Sequence, residues 1–545
     1  MEKVIQFNQN DEFYFKMGRD YLQEGNIVKS IKYLNKAIEK VKGRNDFLLS
    51  SYYLILAQAY AIANNLELSN YYYFACLDSD IFAQIAFRGL GENFARQNDD
   101  IMARFYLNQC VNLLENSQLA ASAKQKLQQL APIKNNKGFR IVGQDDKIYN
   151  EKKIAQAAEF MSKGKFEKAI ELLEKYGDFN DNKVRAELSL AYFFVNDTQK
   201  GIDLIKNYGN DNILDLCNLL LIYYCEGDKE NFAKIKDKLR KHEVKKDEDN
   251  FKIGLTFAQT GELDLAKLYM EKFLSKVKYE MELEFLYSLA CINSNDFETA
   301  KNKLLDLKTL DPFNNYIYNY YLGLCEKKKE CKLEYIFNVP VKEFMEVQNK
   351  IKMFLVKKDE DLKTEFLANR DLFYFIASVP DSNTKSLLLL KLAGIEGKEI
   401  NEYFKYILLQ NNAKIKLKER IVLTRLNLDS VNSISLIREN LYTKILLPNK
   451  KATKVISEKL NKASINCVEF LLTKTGTMKV NLKRNIIMIE RKDLPETVDE
   501  NVLSAYLTWS VVSQTKQATL NDVCLYFSIT QADFYSFTET YGFEV

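Results

Sequence analysis

Apolar residues fall every three or four positions along most of this chain, the spacing that lines one face of an α-helix. A slower rhythm runs above it. An anchor position, small in all but one case, returns at Gly18, Ala57, Gly91, Ala157, Ser189, Leu220, Gly254, Ser288 and Gly323, with gaps of 39, 34, 66, 32, 31, 34, 34 and 35 residues. The flanks repeat as well. Phe87, Leu90, Gly91 and Phe94 precede Ala103 and Leu107, and the same offsets give Tyr14, Met17, Gly18, Tyr21, Ser30 and Leu34. They recur as Tyr53, Leu56, Ala57, Tyr60, Ser69 and Tyr73, and as Ile253, Gly254, Phe257, Ala266 and Met270. Shorter versions are Ala157, Phe160, Ala169 and Leu173, and Tyr287, Ser288, Ala300 and Leu304 ahead of Asp311-Pro312. Ser189 with Tyr192, Gly201 and Ile205, and Leu220 with Tyr223 and Phe232, are the weakest copies. The pattern predicts one helix hairpin per period. Two small residues let its helices approach closely, and larger ones three or four positions away fill the gap to the next hairpin.

These offsets resemble the pattern of the tetratricopeptide-repeat (TPR) family, an aromatic, then Leu-Gly, a second aromatic, and Ala followed by a large residue. The resemblance implies an all-α fold, a TPR α-solenoid built as a right-handed superhelix of helix hairpins. It also implies a concave groove lined by the first helix of each hairpin. Carried onto this chain, the groove positions are Phe15, Arg19 and Gln23, then Leu54, Gln58 and Ile62, then Arg88, Glu92 and Arg96. That mixture suits an extended or helical peptide with a few acidic side chains, which Arg holds bidentately. Many peptide-binding TPR domains grip a C-terminal carboxylate with a Lys/Asn clamp. The corresponding positions here are Phe15/Arg19, Leu54/Gln58 and Arg88/Glu92, so the clamp is absent.

The gap of 66 marks a break. It holds a further helix near Gln118–Leu130, then Pro132 and a polar stretch with Gly138 and Gly143. The expected organisation is a first TPR block over 1–131, a connector over 132–150 and a second block of five to six repeats over 151–338. An irregular helical region over 340–465 and a small C-terminal domain over 466–545 follow. In the helical region, Lys385–Ala393, Asn401–Leu409 and Leu417–Leu428 keep helical spacing. A small β-hairpin is expected between Cys467 and Ile489, with a turn at Thr475-Gly476-Thr477, alternation over Met478–Leu482 and a strand at Ile486–Ile489. Thr519 to Phe537 resembles a helix-turn-helix, with Thr519 and Thr530 as N-caps and Ser528 where such turns usually place Gly.

Composition narrows the function. Of 545 residues only 19 are Gly and 6 Pro, which favours long helices joined by short loops. Net charge is +4 from 78 basic and 74 acidic residues, giving no whole-chain case for nucleic acid. From Thr519 onward there are four acids and no Lys or Arg, so the proposed second helix of the helix-turn-helix repels phosphate. Six bases upstream (Lys474, Lys479, Lys483, Arg484, Arg491 and Lys492) are the ones placed to touch it. Nine Cys are scattered without a Cys-x-x-Cys, and the lone His242 lies in a Lys-rich helix. No cofactor, metal or catalytic site is therefore expected. No apolar run approaches the roughly 18–20 residues that span a bilayer, and a cytoplasmic location follows by default. The expected role is a non-catalytic scaffold or adaptor that binds a peptide or protein partner in the groove. The alternative is a regulator whose array senses a partner while the C-terminal unit contacts nucleic acid. Tyrosine-rich stretches (Tyr71-Tyr72-Tyr73; Tyr316, Tyr318, Tyr320, Tyr321) permit self-association, although packing between helices accounts for most of them.

Overall fold

The computed structural model describes residues 10–41, 46–130, 145–209, 211–380, 382–411, 413–428, 430–431, 433–447, 458–473, 479–490, 492, 494, 498–513 and 518–543. The connector's Pro132, Gly138 and Gly143 and the turn Thr475-Gly476-Thr477 lie outside them. The chain falls into two compact units. One comprises Met1–Ala131, Thr309–Ile317 and Val341–Val545, the other Pro132–Lys308 and Tyr318–Pro340.

In the first unit α1 (Asp11–Gln23) pairs with α2 (Ile27–Val41), α3 (Asp46–Ile62) with α4 (Leu66–Cys76), and α5 (Ala83–Arg96) with α6 (Asp100–Leu113). The helix α7 (Gln118–Gln129) packs on α6. In the second unit the hairpins are α8 (Asp145–Ser162) with α9 (Phe166–Tyr176), α10 (Asn182–Phe194) with α11 (Thr198–Tyr208), and α12 (Ile213–Glu226) with α13 (Lys229–Lys241). They continue as α14 (Asp247–Gln259) with α15 (Leu263–Leu274) and α16 (Met281–Asn293) with α17 (Phe297–Leu310), before α18 (Asn315–Glu326).

The anchors do what their size predicts. A Cβ added at Gly18 would lie 2.7 Å from Leu34 Cγ, at Gly91 2.6 Å from Leu107 Cγ, and at Gly254 2.8 Å from Met270 Cγ. In two hairpins the small residue on the second helix also donates to the anchor's carbonyl, Ser30 Oγ to Gly18 and Ser69 Oγ to Ala57, each at 2.8 Å. The turn between the two helices repeats as closely. Seven residues past the anchor stands a left-handed residue: Gly25, Asn64, Asn98, Gly164, Asn196, Gly227, Gly261 and Asn295. The next amide then reaches back to the carbonyl of the second aromatic position, as in Asn65 N to Tyr60 O (3.0 Å), Asp99 N to Phe94 O (2.9 Å) and Glu262 N to Phe257 O (2.9 Å). This is the Schellman closure of a helix C-terminus. The residue supplying that amide often caps the following helix, Asn65 accepting from Leu68 N at 3.1 Å and Asp99 from Met102 N at 3.0 Å.

The rest of the first unit opens with α19 (Val341–Val356), α20 (Asp359–Ala368), α21 (Arg370–Ser378), α22 (Asn383–Ala393), α23 (Lys398–Leu408) and α24 (Ile415–Leu426). Here buried cations close the helix ends. Lys385 Nζ, on a side chain 1% exposed, donates to Ala377 O and Val379 O at 2.7 Å. Lys418, also 1% exposed, donates to Leu408 O at 3.3 Å, to Ile437 O at 3.1 Å and to Gln410 O. Arg425 holds Ala393 O and Ile395 O at 3.1 and 3.0 Å, and Lys391 donates to Leu355 O at 2.9 Å. Each cation faces the negative end of a helix dipole while satisfying its orphan carbonyls.

One expectation is corrected. The hairpin lies upstream, with β1 (Ser433–Arg438) antiparallel to β2 (Leu441–Leu446) in register from Ser433↔Leu446 to Arg438↔Leu441. Both of its turn residues, Glu439 and Asn440, have positive φ. The segment expected to be a hairpin is instead α25 (Glu458–Leu472), the short β3 (Lys479–Asn481) parallel to β2, and α26 (Leu482–Glu490). Ile486–Ile489 is helical because Leu482, Ile486 and Ile489 share one buried face, while Met488 stands 49% exposed. The chain continues through α27 (Glu500–Val512), α28 (Leu520–Tyr526) and α29 (Gln531–Tyr541).

Candidate functional site

The first helices of the N-terminal hairpins, α1, α3 and α5, carry all nine predicted groove positions. Phe15 stacks on Tyr52 with ring centroids 4.1 Å apart and planes 18° from parallel. The Arg19 guanidinium lies 5.9 Å above the Phe15 ring. Tyr52 donates to Asp11 Oδ2 at 3.0 Å, and burial followed by that carboxylate raises its pKa above the ordinary tyrosine range. Gln58 is exposed, and Ile62, one turn on, is 54% exposed. Leu54 is only 5% exposed and belongs to the core, so it offers nothing to a partner.

The two arginines of α5 are already engaged. Arg88 and Glu92 form an i,i+4 pair, with Nε and Nη2 each 2.9 Å from Oε1. An incoming carboxylate would compete with Glu92 for that fork. Arg96 reaches back to the preceding hairpin, donating to Ala61 O at 2.6 Å and Asn64 Oδ1 at 3.0 Å. It thereby caps the end of α3 and ties neighbouring hairpins together. Phe15 with Arg19, and Arg88 with Glu92, are brought together; Arg96 faces a turn.

The pattern missed Asp78, whose carboxylate gathers three later side chains of this unit. Asp78 follows α4, whose residues Leu68–Cys76 are all buried. Its carboxylate accepts from Lys405 Nζ at 2.6 Å, Ser435 Oγ at 2.6 Å and Tyr442 OH at 2.8 Å, while its carbonyl accepts from Lys444 Nζ at 2.7 Å. Burial alone would raise the Asp78 pKa. The Lys405 charge and hydrogen bond, then Ser435 and Lys444, outweigh it and hold the carboxyl below its ordinary value. Burial would likewise lower Lys405, but Asp78 drives it above the lysine range. Nearby, Phe74 stacks on Tyr442 at 6.3 Å and Tyr106 OH donates to Asn440 O. The C-terminal strands and α23 therefore meet the first block at its second helices, α4 and α6. The sequence signal was an acid directly after a helix with almost no polar face, but its partners stand more than 320 residues away.

The tyrosine stretch Tyr71-Tyr72-Tyr73 is buried in this same packing, at 8%, 7% and 5% exposure, so it offers no edge for self-association. At the C-terminal end, capping boxes form at Thr519 with Asp522 and at Thr530 with Asp533, and Ser528 takes φ +57° between the helices. Among the six upstream bases, Lys492 has a described side chain, and its Nζ donates to Gly542 O at 3.0 Å and lies 5.6 Å from the Phe543 ring. It closes the end of α29. Among the described residues no helix is long and apolar enough to cross a membrane, and no three His, Cys, Asp or Glu side chains gather as a metal set.

Hairpins with this period, these anchors and this turn are like tetratricopeptide repeats, and the chain is an all-α array of such hairpins with a mostly helical C-terminal region. Over 158 residues the chain is 27% identical to the TPR repeat-containing protein YvcD of Bacillus subtilis (strain 168), a match covering 27% of this chain. It spans about a third (32%) of that relative's length. The crystal structure of the P58(IPK) TPR domain aligns over 76% of this chain and 97% of that one, at 12% identity and a TM-score of 0.20. No family model matches the chain.

Proposed function

We propose that this chain is a non-catalytic interaction scaffold or adaptor that holds a peptide or protein segment along the first-helix face of its N-terminal repeats. Stacked repeats create extended binding surfaces of this kind. The observation that supports the reading is the division of labour between the two helices of each hairpin. The second helices α4 and α6 are occupied by the chain's own C-terminal strands, while Arg19, Gln58, Ile62 and Arg96 remain exposed on the first-helix side. An aromatic stack with a cation over it, beside an exposed aliphatic side chain, suits a segment with one apolar and one acidic anchor.

The test is selection of binders from a random peptide library on the full chain, followed by fluorescence anisotropy with the enriched sequences. Arg19→Glu and Ile62→Glu are expected to weaken binding by about tenfold or more while leaving the melting temperature in place. Failure to enrich any sequence, or enriched peptides indifferent to both variants, would overturn the proposal. Binding that disappears on nuclease treatment of the host extract would instead favour the nucleic-acid alternative.

A further inference from the structure

In the first unit a cavity of about 270 Å³ opens among α2, α3, α4, α21, α23 and the short turn Pro312–Asn314. Its walls are aromatic. Tyr53, Tyr71, Tyr72, Phe313 and Tyr374 line it, and their rings meet at steep angles. Tyr71 stands 83° to Phe313 with centroids 5.9 Å apart, Tyr71 stands 68° to Tyr72 at 4.9 Å, and Phe313 lies 51° from Tyr374 at 4.9 Å.

Two features keep this from being ordinary core. Tyr53, Tyr71 and Tyr72 are each more than nine-tenths buried, yet they border open space. The space is also far larger than the roughly 10–15 Å³ one water requires. The second feature is charge. Glu39 and Glu402 stand on the wall, and the one lining cation, Lys405, is held by Asp78 at 2.6 Å. Asp311 adds a further negative charge close to Tyr406. Burial raises the pKa of Tyr53 to about 12 and those of Tyr71 and Tyr72 further still, so the phenols are neutral.

We infer that this cavity is a binding site for a small organic cation of the ammonium class, held between tyrosine faces and drawn in by Glu39 and Glu402. Ring faces attract a desolvated cation through their quadrupole, and a carboxylate at the rim adds Coulomb attraction. The site lies on the second-helix side of the repeats and is independent of the peptide-binding face.

Calorimetric titration of the full chain with choline, and with its uncharged isostere 3,3-dimethyl-1-butanol, tests this. Choline is expected to bind, with the isostere at least about tenfold weaker. Glu402→Gln preserves shape and removes charge, and Tyr374→Leu preserves apolar bulk and removes a ring; each is expected to weaken choline binding by about tenfold without a loss of cooperative unfolding. No binding of choline to the folded chain, equal affinity for the isostere, or unchanged affinity in both variants would each overturn the inference.

Discussion

Lys405 Nζ lies 2.6 Å from Asp78 Oδ2 across 327 residues of sequence, and this contact fastens the C-terminal helices and strands to the first three hairpins. Both side chains retain about a third of their exposure (32% and 30%), so the pair is partly screened. Ser435 and Tyr442 donate to the same carboxylate, so its removal leaves two hydroxyls and an ammonium without their acceptor.

Asp78→Ala is therefore expected to cost about 1–3 kcal/mol. Its signature is faster amide exchange in β1 and β2, with α1–α3 protected as before. Hydrogen exchange read by mass spectrometry distinguishes this from uniform loosening of the whole unit.

Lys418 predicts a pH dependence. Burial pushes its pKa from the ordinary 10.5 down to about 7. Between those values the unfolded chain binds more protons than the folded one, so stability rises with pH from about 7 to 10.5 and is level below about 7, where both states carry the proton. Lys418→Met should flatten that dependence and cost about 2–4 kcal/mol, because three carbonyls lose their donor. Urea denaturation of both proteins across this range checks slope and offset together.

In the second unit Arg185 and Asp215 are each 1% exposed and 2.7 Å apart. Arg185 also donates to Phe179 O at 2.6 Å and Asn182 Oδ1 at 2.7 Å, which fixes the entry of α10. Arg185→Met strands a buried carboxylate and is expected to cost about 3–5 kcal/mol. Arg185→Met with Asp215→Leu should cost clearly less, a comparison for a double-mutant cycle.

Gly91→Val should separate α5 from α6. Its Cβ alone would meet Leu107 Cγ at 2.6 Å and the Ala103 carbonyl at 3.2 Å. A destabilisation of about 1–3 kcal/mol is expected, seen as lost protection in that hairpin; Gly25→Ala, with open space around it but φ +77°, should cost about 1 kcal/mol through backbone strain alone.

The repeats were legible because their determinants are local. Gly18 and Leu34, or Gly254 and Met270, lie sixteen residues apart and meet across one hairpin. The left-handed turn residues, such as Asn64 and Asn196, stood at a fixed offset as well, although packing residues alone already defined the period. Elsewhere the pattern misled. Four consecutive apolar residues at Ile486–Ile489 suit a strand as well as a helix, and only burial of Leu482, Ile486 and Ile489 on one side decides. The true hairpin turns on Glu439-Asn440 without a glycine, so its signal was weak. In Leu417-Lys418-Glu419-Arg420 nothing marks Lys418 as the buried member. Among the groove residues, Gln58 could be placed on an exposed face from the period, whereas the engagement of Arg88 and Arg96 by near neighbours depends on side-chain geometry.

The distance between Asp78 and its partners has a consequence for synthesis. A ribosome adding roughly 5–20 residues each second needs about 15–65 s to travel the 327 residues from Asp78 to Lys405. Throughout that interval the first repeats have emerged while the surface of α4 that Tyr406 and Tyr442 will cover is still bare. The nascent chain thus displays Tyr71 and Phe74 long before their permanent neighbours exist.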